Sequence, residues 1–394
     1  MGRTRDVSKI LTANTSPLTL ASASSTFLPQ ASASVIYQGP PNRNLIINGA
    51  MQVAQRATSL SSITTSLYKT ADRWALSFAA AQNFGTWTQS IENDGPTGSG
   101  LSKSLKMLCT TAQASPGSSA ALIFYQVIEG QNLQGVKKGT PQAQPLTVSF
   151  WVKSNVTGTY VCSLLDENNS IGFPPYGTSI ARTYTVNAIN TWEKKTLTFS
   201  AGTSGVIANT SAAGLRLYHW LGAGSNYQSG TLNSTWASNA PGTEAVGQIN
   251  VASAVNNYWQ VTGIQLEIGS TATPFEYKPY AQDLLECMRY LQVWKDDNKA
   301  LYSGHYWSAT ESLGTLHFKI PMRSAPTLTA SSGTAIKSFD GVGQVQRVSS
   351  SINTDASNIN GIDIAAITAA STAGRATFNR TNGAGSYLWL SAEL

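Results

Sequence analysis

Between Leu45 and about Tyr277 the hydrophobic positions recur at every second residue. Leu146, Val148, Phe150 and Val152 share one phase, and Leu215, Leu217 and Leu221 share another, with His219 among them. A period of two places such residues on one face of a strand. In YWQVTGIQLEI the phase set by Trp259 and Val261 resumes one residue late at Ile264, Leu266 and Ile268, which predicts a β-bulge near Gly263. Turn residues such as Asn93-Asp94-Gly95, Pro174-Pro175 and Pro241-Gly242 punctuate the region, and no long helical pattern interrupts it. The expected fold is mainly β, with an antiparallel jelly-roll or β-sandwich body over residues 46–278.

The period then changes. After Pro279, which suits a first helical turn, Tyr280, Leu284, Cys287, Leu291 and Trp294 are spaced by alternating fours and threes. This predicts a short amphipathic helix over 279–295. Its apolar seam fits either packing on the chain's own sandwich or a neck between identical chains, since two heptads are too few to decide. A smaller C-terminal β domain follows over 296–394, where Leu316, Phe318 and Ile320 alternate with Thr315, His317 and Lys319, and SYLWLSAEL is apolar almost to its end.

The first 45 residues differ from both. A charged tip, GRTRDVSKI, leads into a Ser-, Ala- and Thr-rich tract without a Lys, Arg, His, Asp or Glu from Ile10 to Asn42. Such a tract cannot bury a core of its own, and it reads either as a tail or as an extended arm that orders against a partner. Arg3, Arg5, Lys9 and Arg43 against Asp6 concentrate half of the formal charge of +6 in this segment. The remainder is nearly neutral, without the clustered cations that phosphate binding demands, so nucleic acid is disfavoured as a partner. Charged residues make up only 12% of the 394, about half the usual share, leaving a surface of hydroxyls and amides.

No segment is long and apolar enough for a membrane helix, and the first residues lack a signal-peptide core, so the chain is expected to start at its own Met1 without membrane insertion. Cys109, Cys162 and Cys287 are far apart and odd in number, and are expected reduced and buried. No metal-ligand cluster, P-loop, dinucleotide fingerprint or nucleophile elbow occurs, which predicts no cofactor, no metal and no catalytic residue. The acid pairs Glu92/Asp94, Asp166/Glu167 and Asp296/Asp297 could serve a glycosidase only if held across a sugar, and adjacent acids in turns are usually solvated. Aromatic residues stand out more. Trp220, Tyr227 and Trp236 lie among Ser, Asn, Gln and Thr, and Tyr302, Tyr306 and Trp307 cluster in YSGHYWSA. Flat rings beside amides and hydroxyls suit sugars, so these six are candidate glycan contacts, with ordinary core positions as the competing reading.

The stretches NLIINGAMQVAQR, YKTADRW, VSFWVKSNVTGTY, TWEKKTLTF, FKIPMRSAPTLT and VTGIQLEIGSTATPFEYKPYAQDLLECMRYLQ resemble tail-fibre and related structural proteins of tailed bacteriophages. The opening GRTRDVSKIL is similar to the virion-attachment end of fibres from marine podovirus-like phages. The resemblance implies a carbohydrate-binding-module-like jelly roll, a homotrimeric neck built on Tyr280, Leu284, Cys287, Leu291 and Trp294, and a distal β tip that meets host-surface polysaccharide or another receptor. It further implies that Arg3, Arg5, Lys9, Ile10 and Leu11 attach the arm to a tail adaptor, nozzle or other virion protein, and that the chain is assembled in the host cytoplasm into the virion. A polysaccharide depolymerase, or a purely structural head or tail decoration protein, are the alternatives.

Overall fold

In the computed structural model, residues 43–79, 84–167, 177–340, 346–369 and 371–394 are described. The arm and its attachment residues Arg3, Arg5, Lys9, Ile10 and Leu11 lie outside them. Asn44–Leu394 form one unit, made of a large and a small β lobe in which every strand pairing is antiparallel.

The large lobe is a two-sheet sandwich. One sheet orders six strands as Ser59–Ile63, Thr86–Glu92, Ser104–Thr111, Tyr258–Ile268, Leu146–Ser154 and Glu193–Phe199. The other orders seven as Ala237–Ser238, Thr178–Val186, Gly158–Asp166, Ala213–Ala223, Ala121–Glu129, Ala75–Phe78 and Leu67–Tyr68. The alternating residues Leu146, Val148, Phe150 and Val152 meet Leu215, Leu217 and Leu221 between the sheets, all of them buried. Trp74 stacks on Phe124 with centroids 4.7 Å apart, and Phe150 meets His219 edge-on at 4.9 Å.

The bulge lies where the phase change places it. Pairing between Tyr258–Ile268 and Leu146–Ser154 slips between Thr262 and Gln265, and Gly263 takes φ 61°. That left-handed conformation favours glycine, and a Cβ there would come within 2.6 Å of Leu101 Cδ1. The extra residue is what lets Trp259 and Val261 share the core with Ile264 and Leu266.

A strap over 225–250, interrupted by the edge strand Ala237–Ser238, lays Tyr227, Leu232 and Ala245 on the outer surface of the seven-stranded sheet. They pack there on Ala121, Ile123, Val161, Tyr218 and Trp220, forming a second, smaller core. Glu244 is buried in the strap and accepts a hydrogen bond from Asn239 Nδ2 at 3.2 Å, and desolvation pushes its carboxyl up to about 8. A carboxyl whose folded pKa is raised contributes stability fully below its unfolded value and loses it as pH rises through the folded one. Between pH 4.5 and 8 the cost is about 1.4 kcal/mol per pH unit. Glu244→Gln should therefore gain stability over the wild type as pH rises across that window, read from urea midpoints at pH 5 and pH 8. Parallel pH profiles for the two proteins would contradict the burial of a neutral Glu244.

The helix spans Tyr280–Met288 and stops well short of Trp294. Leu291 and Trp294 belong instead to the strand Leu291–Lys295, which pairs with Tyr387–Ser391. The spacing of fours and threes misled because Arg289 and Tyr290 form the turn out of the helix, after which LQVWK takes up period two. Cys287 and Leu291 are fully buried within the chain and Trp294 packs in the small lobe's core, so these three are not an exposed seam. Leu284 is half-buried, while Tyr280 and Leu285 face solvent.

The small lobe packs a three-stranded sheet, Leu291–Lys295, Tyr387–Ser391 and Thr327–Ala330, against a seven-stranded one. The latter runs Gln346–Val348, Ile336–Asp340, Ala376–Thr381, Ala300–Tyr306, Glu311–His317, Gly361–Ile367 and Ser351–Ser357. The lobes are tied by charged groups. Arg289 forks onto Glu129 with two bonds of 2.9 Å, and the Tyr290 hydroxyl donates to the same carboxylate. Arg73, itself buried, pairs with Glu393, donates to the Val127 carbonyl at 2.7 Å and lies 3.5 Å from the Tyr290 ring centre. The sequence CMRY thus contributes one buried thiol and two side chains that clasp the sandwich.

Candidate functional site

Along Glu311–His317, alternation turns Ser312 and Leu316 inward and leaves Leu313, Thr315 and His317 on the outer face. The same rule places Asp363 and Ala365 outward on Gly361–Ile367. Register then aligns a row of four across neighbouring strands, His305, Leu313, Ala365 and Asn353. Beside it, Thr315 faces Asp363 and donates to its Oδ1 at 2.5 Å. Gly314 lets the sheet lie close on the core, for a Cβ there would meet the Tyr302 ring at 2.5 Å.

Two hollows open on this face. One, of about 630 Å³, is lined by residues including Ser303, His305, Thr315, His317 and Asp363, and the other, of about 550 Å³, by Trp307, Glu311, Asn353, Thr354 and Ala365. Leu313 lines both, so they adjoin. Trp307 stands at the end of the second with 69% of its surface exposed, and its backbone N–H donates to the Glu311 carbonyl at 2.9 Å. Its ring meets that of His305 edge-on at 6.4 Å. The face therefore combines an exposed indole with hydroxyl, amide, imidazole and carboxylate groups over a shallow floor, an arrangement able to stack a sugar ring and hydrogen-bond its hydroxyls.

Of the other five candidate aromatics, Tyr302 borders the first hollow but is itself buried, and Trp220, Tyr227, Trp236 and Tyr306 line neither hollow. Trp220 and Tyr227 are buried under the strap, 5.5 Å apart, because the strap uses them as its own core. Trp236 is half-buried: its indole N–H donates to the Ser200 carbonyl at 2.9 Å, and Lys138 Nζ lies 4.6 Å from its ring centre. Tyr302 and Tyr306 are buried, as the strand period sends residues 302 and 306 to the face opposite 303 and 305. Burial raises the Tyr302 phenol well above its ordinary value. Only Trp307 of the six is well exposed. His305 belongs to the YSGHYWSA cluster, whereas His317, Asp363 and Asn353 were missed as site residues, although alternation in TLHFKI already turned Thr315 and His317 away from Leu316. What the chain could not show is which strands flank them.

At least one member of each acid pair is engaged in an ion pair. Asp94 pairs with Lys153, Asp166 with buried Lys138 at 2.6 Å, Glu167 with Arg216, and Asp297 with Lys337 at 2.6 Å. Among the described residues no group of three or more His, Cys, Asp or Glu could hold a metal ion, and no helix is long and apolar enough to cross a membrane. The three cysteines are buried and unbridged.

No known protein family matches the chain, and no curated protein matches its sequence. Solved structures do. The enzymatically active domain of tailspike protein 4 of bacteriophage CBA120 is 14% identical over 58% of this chain, which spans 22% of that protein, with a TM-score of 0.30. A putative sugar binding protein from Bacteroides thetaiotaomicron VPI-5482 is 11% identical over 57% of this chain and 99% of its own, at a TM-score of 0.32. The family 11 carbohydrate-binding module of a Clostridium thermocellum cellulosomal cellulase is 9% identical over 53% and 95%, at 0.26. These neighbours are a phage tailspike domain and sugar-binding modules.

Proposed function

We propose that this protein is a bacteriophage fibre that binds, without cleaving, a glycan on the host surface in the groove of its small lobe. The observation that carries the reading is Trp307, an indole held 69% exposed beside polar side chains on a hollow sheet face. Covering such a ring with the apolar face of a sugar removes apolar surface from water while the polar neighbours bond its hydroxyls. The fibre assignment rests on the sequence resemblance. In this reading the arm, through Arg3, Arg5, Lys9, Ile10 and Leu11, joins a tail adaptor or other virion protein, and three chains associate in the virion so that weak sites act together. Solvent-facing Tyr280 and Leu285 offer the helix's apolar surface for that association. A native mass of one chain would remove the trimer from the reading.

Trp307→Ala should weaken binding of the protein to host cells or extracted surface polysaccharide by roughly 30-fold or more, the loss typical of a central aromatic contact. Its thermal midpoint should not move, since the ring packs on little. Unchanged binding would exclude the groove, and shortened polysaccharide chains after incubation with the wild type would favour the depolymerase alternative.

A further inference from the structure

Resting on the reading of the groove as a glycan site, we infer that its ligand is an uncharged, linear oligosaccharide of about four sugar rings lying along the strand Glu311–His317. The length follows from the strand. Both hollows lie on it and share Leu313, and six residue steps from Glu311 to His317 span about 20 Å, which accommodates roughly four pyranose rings end to end. Trp307 and Glu311 mark one end, and His317 with the Thr315–Asp363 pair marks the other. Between them the floor is Leu313 and Ala365, a half-buried and a buried side chain over which a ring can pass without meeting a projecting group.

The charge class follows from the linings. Neither hollow is lined by Lys or Arg, while Asp363 contributes a carboxylate to one and Glu311 to the other. The arginines on nearby strands are directed elsewhere: Arg375 and Arg347 bond Asp340, and Arg380 lies over Phe339. Lys319 lies over Trp294. A uronate, sialate or sulfate in the groove would face the carboxylates of Asp363 and Glu311 without a Lys or Arg to pair it, which is the arrangement that selects against a ligand. Sugar hydroxyls, in contrast, find acceptors in Asp363 and Glu311 and an amide in Asn353.

The test uses the full chain on a glycan array that carries neutral hexose and N-acetylhexosamine oligomers of one to six rings, together with uronate and sialylated chains of matching length. Hits are then titrated calorimetrically. Neutral oligomers should bind, with affinity rising at least tenfold from two rings to four and levelling beyond. Ala365→Leu, which fills the middle of the floor, should lower affinity for the tetramer by tenfold or more. Asn353→Ala, on an exposed side chain, should lower it about threefold and serves as the second probe if the leucine variant is unstable. Trp307-dependent binding of charged chains, or full affinity reached with one ring, would overturn the inference while leaving the glycan site standing. Binding to no glycan of any class would instead overturn the functional reading beneath it.

Discussion

Glu393→Ala should destabilise the protein by about 3–5 kcal/mol, the cost typical of removing one partner from a buried ion pair. Arg73 is 1% exposed and Glu393 has 5% of its side chain exposed, so the remaining guanidinium would be left in a site that water does not reach. Arg56, 3.4 Å from Glu393, would lose its carboxylate at the same time. Replacing both members, Arg73→Met with Glu393→Leu, should recover most of the loss, because a well-packed apolar pair avoids the desolvation that the charges bear. A double-mutant cycle in guanidinium, read by tryptophan fluorescence and by circular dichroism, measures the coupling. If the two single losses simply add, the pair is not coupled and the clasp between the lobes is held by the other contacts, Glu129 with Arg289 and Tyr290, Gln55 with Leu291, Tyr68 with Leu394 and Arg323 with Ser211.

His219→Phe should flatten the acid side of the stability profile. The imidazole lies among Trp74, Phe124, Phe150 and Trp259, neither ring nitrogen has a hydrogen-bond partner among the described residues, and burial pushes its pKa down to about 3 from 6.5. The folded protein thus holds a neutral ring where the unfolded chain takes up a proton below pH 6.5. Stability from this site is complete above 6.5 and falls by about 1.4 kcal/mol for each pH unit down toward 3. The phenylalanine variant, compared with wild type at each pH, should lose that slope. It should also gain about 1–3 kcal/mol at pH 7, since two unsatisfied nitrogens are replaced by carbon. Identical slopes would mean that His219 is reached by water or a partner.

Much of the sandwich was legible because a strand with one buried face records its orientation residue by residue. Leu146 to Val152 and Leu215 to Leu221 lie as their alternation required, and the slip at Gly263 was readable as a one-residue change of phase. The helix was legible only at its start. Pro279 marks its beginning, but Leu291 and Trp294 keep a helical spacing while lying three apart on opposite faces of a strand, and the pairing with Tyr387–Ser391 decided between the two. Candidate sugar contacts were chosen by residue type, and type does not separate an indole in a core from one in water. Trp220 and Trp307 look alike in sequence and are 0% and 69% exposed.

By itself the sequence determined the β class, the phase of the main strands, the bulge, the weakly charged surface and the separate character of the arm. These are properties of neighbouring residues, set by steric period and composition. Only the tertiary structure decided that the strap lays Tyr227, Leu232 and Ala245 on the outer surface of one sandwich sheet, and that Arg73 meets Glu393 across 320 positions. It alone brought His305, Leu313, Ala365 and Asn353 into one row. Strand order and register depend on long-range pairing, whose free energy comes from burying surfaces far apart in the chain, and no local pattern carries that information.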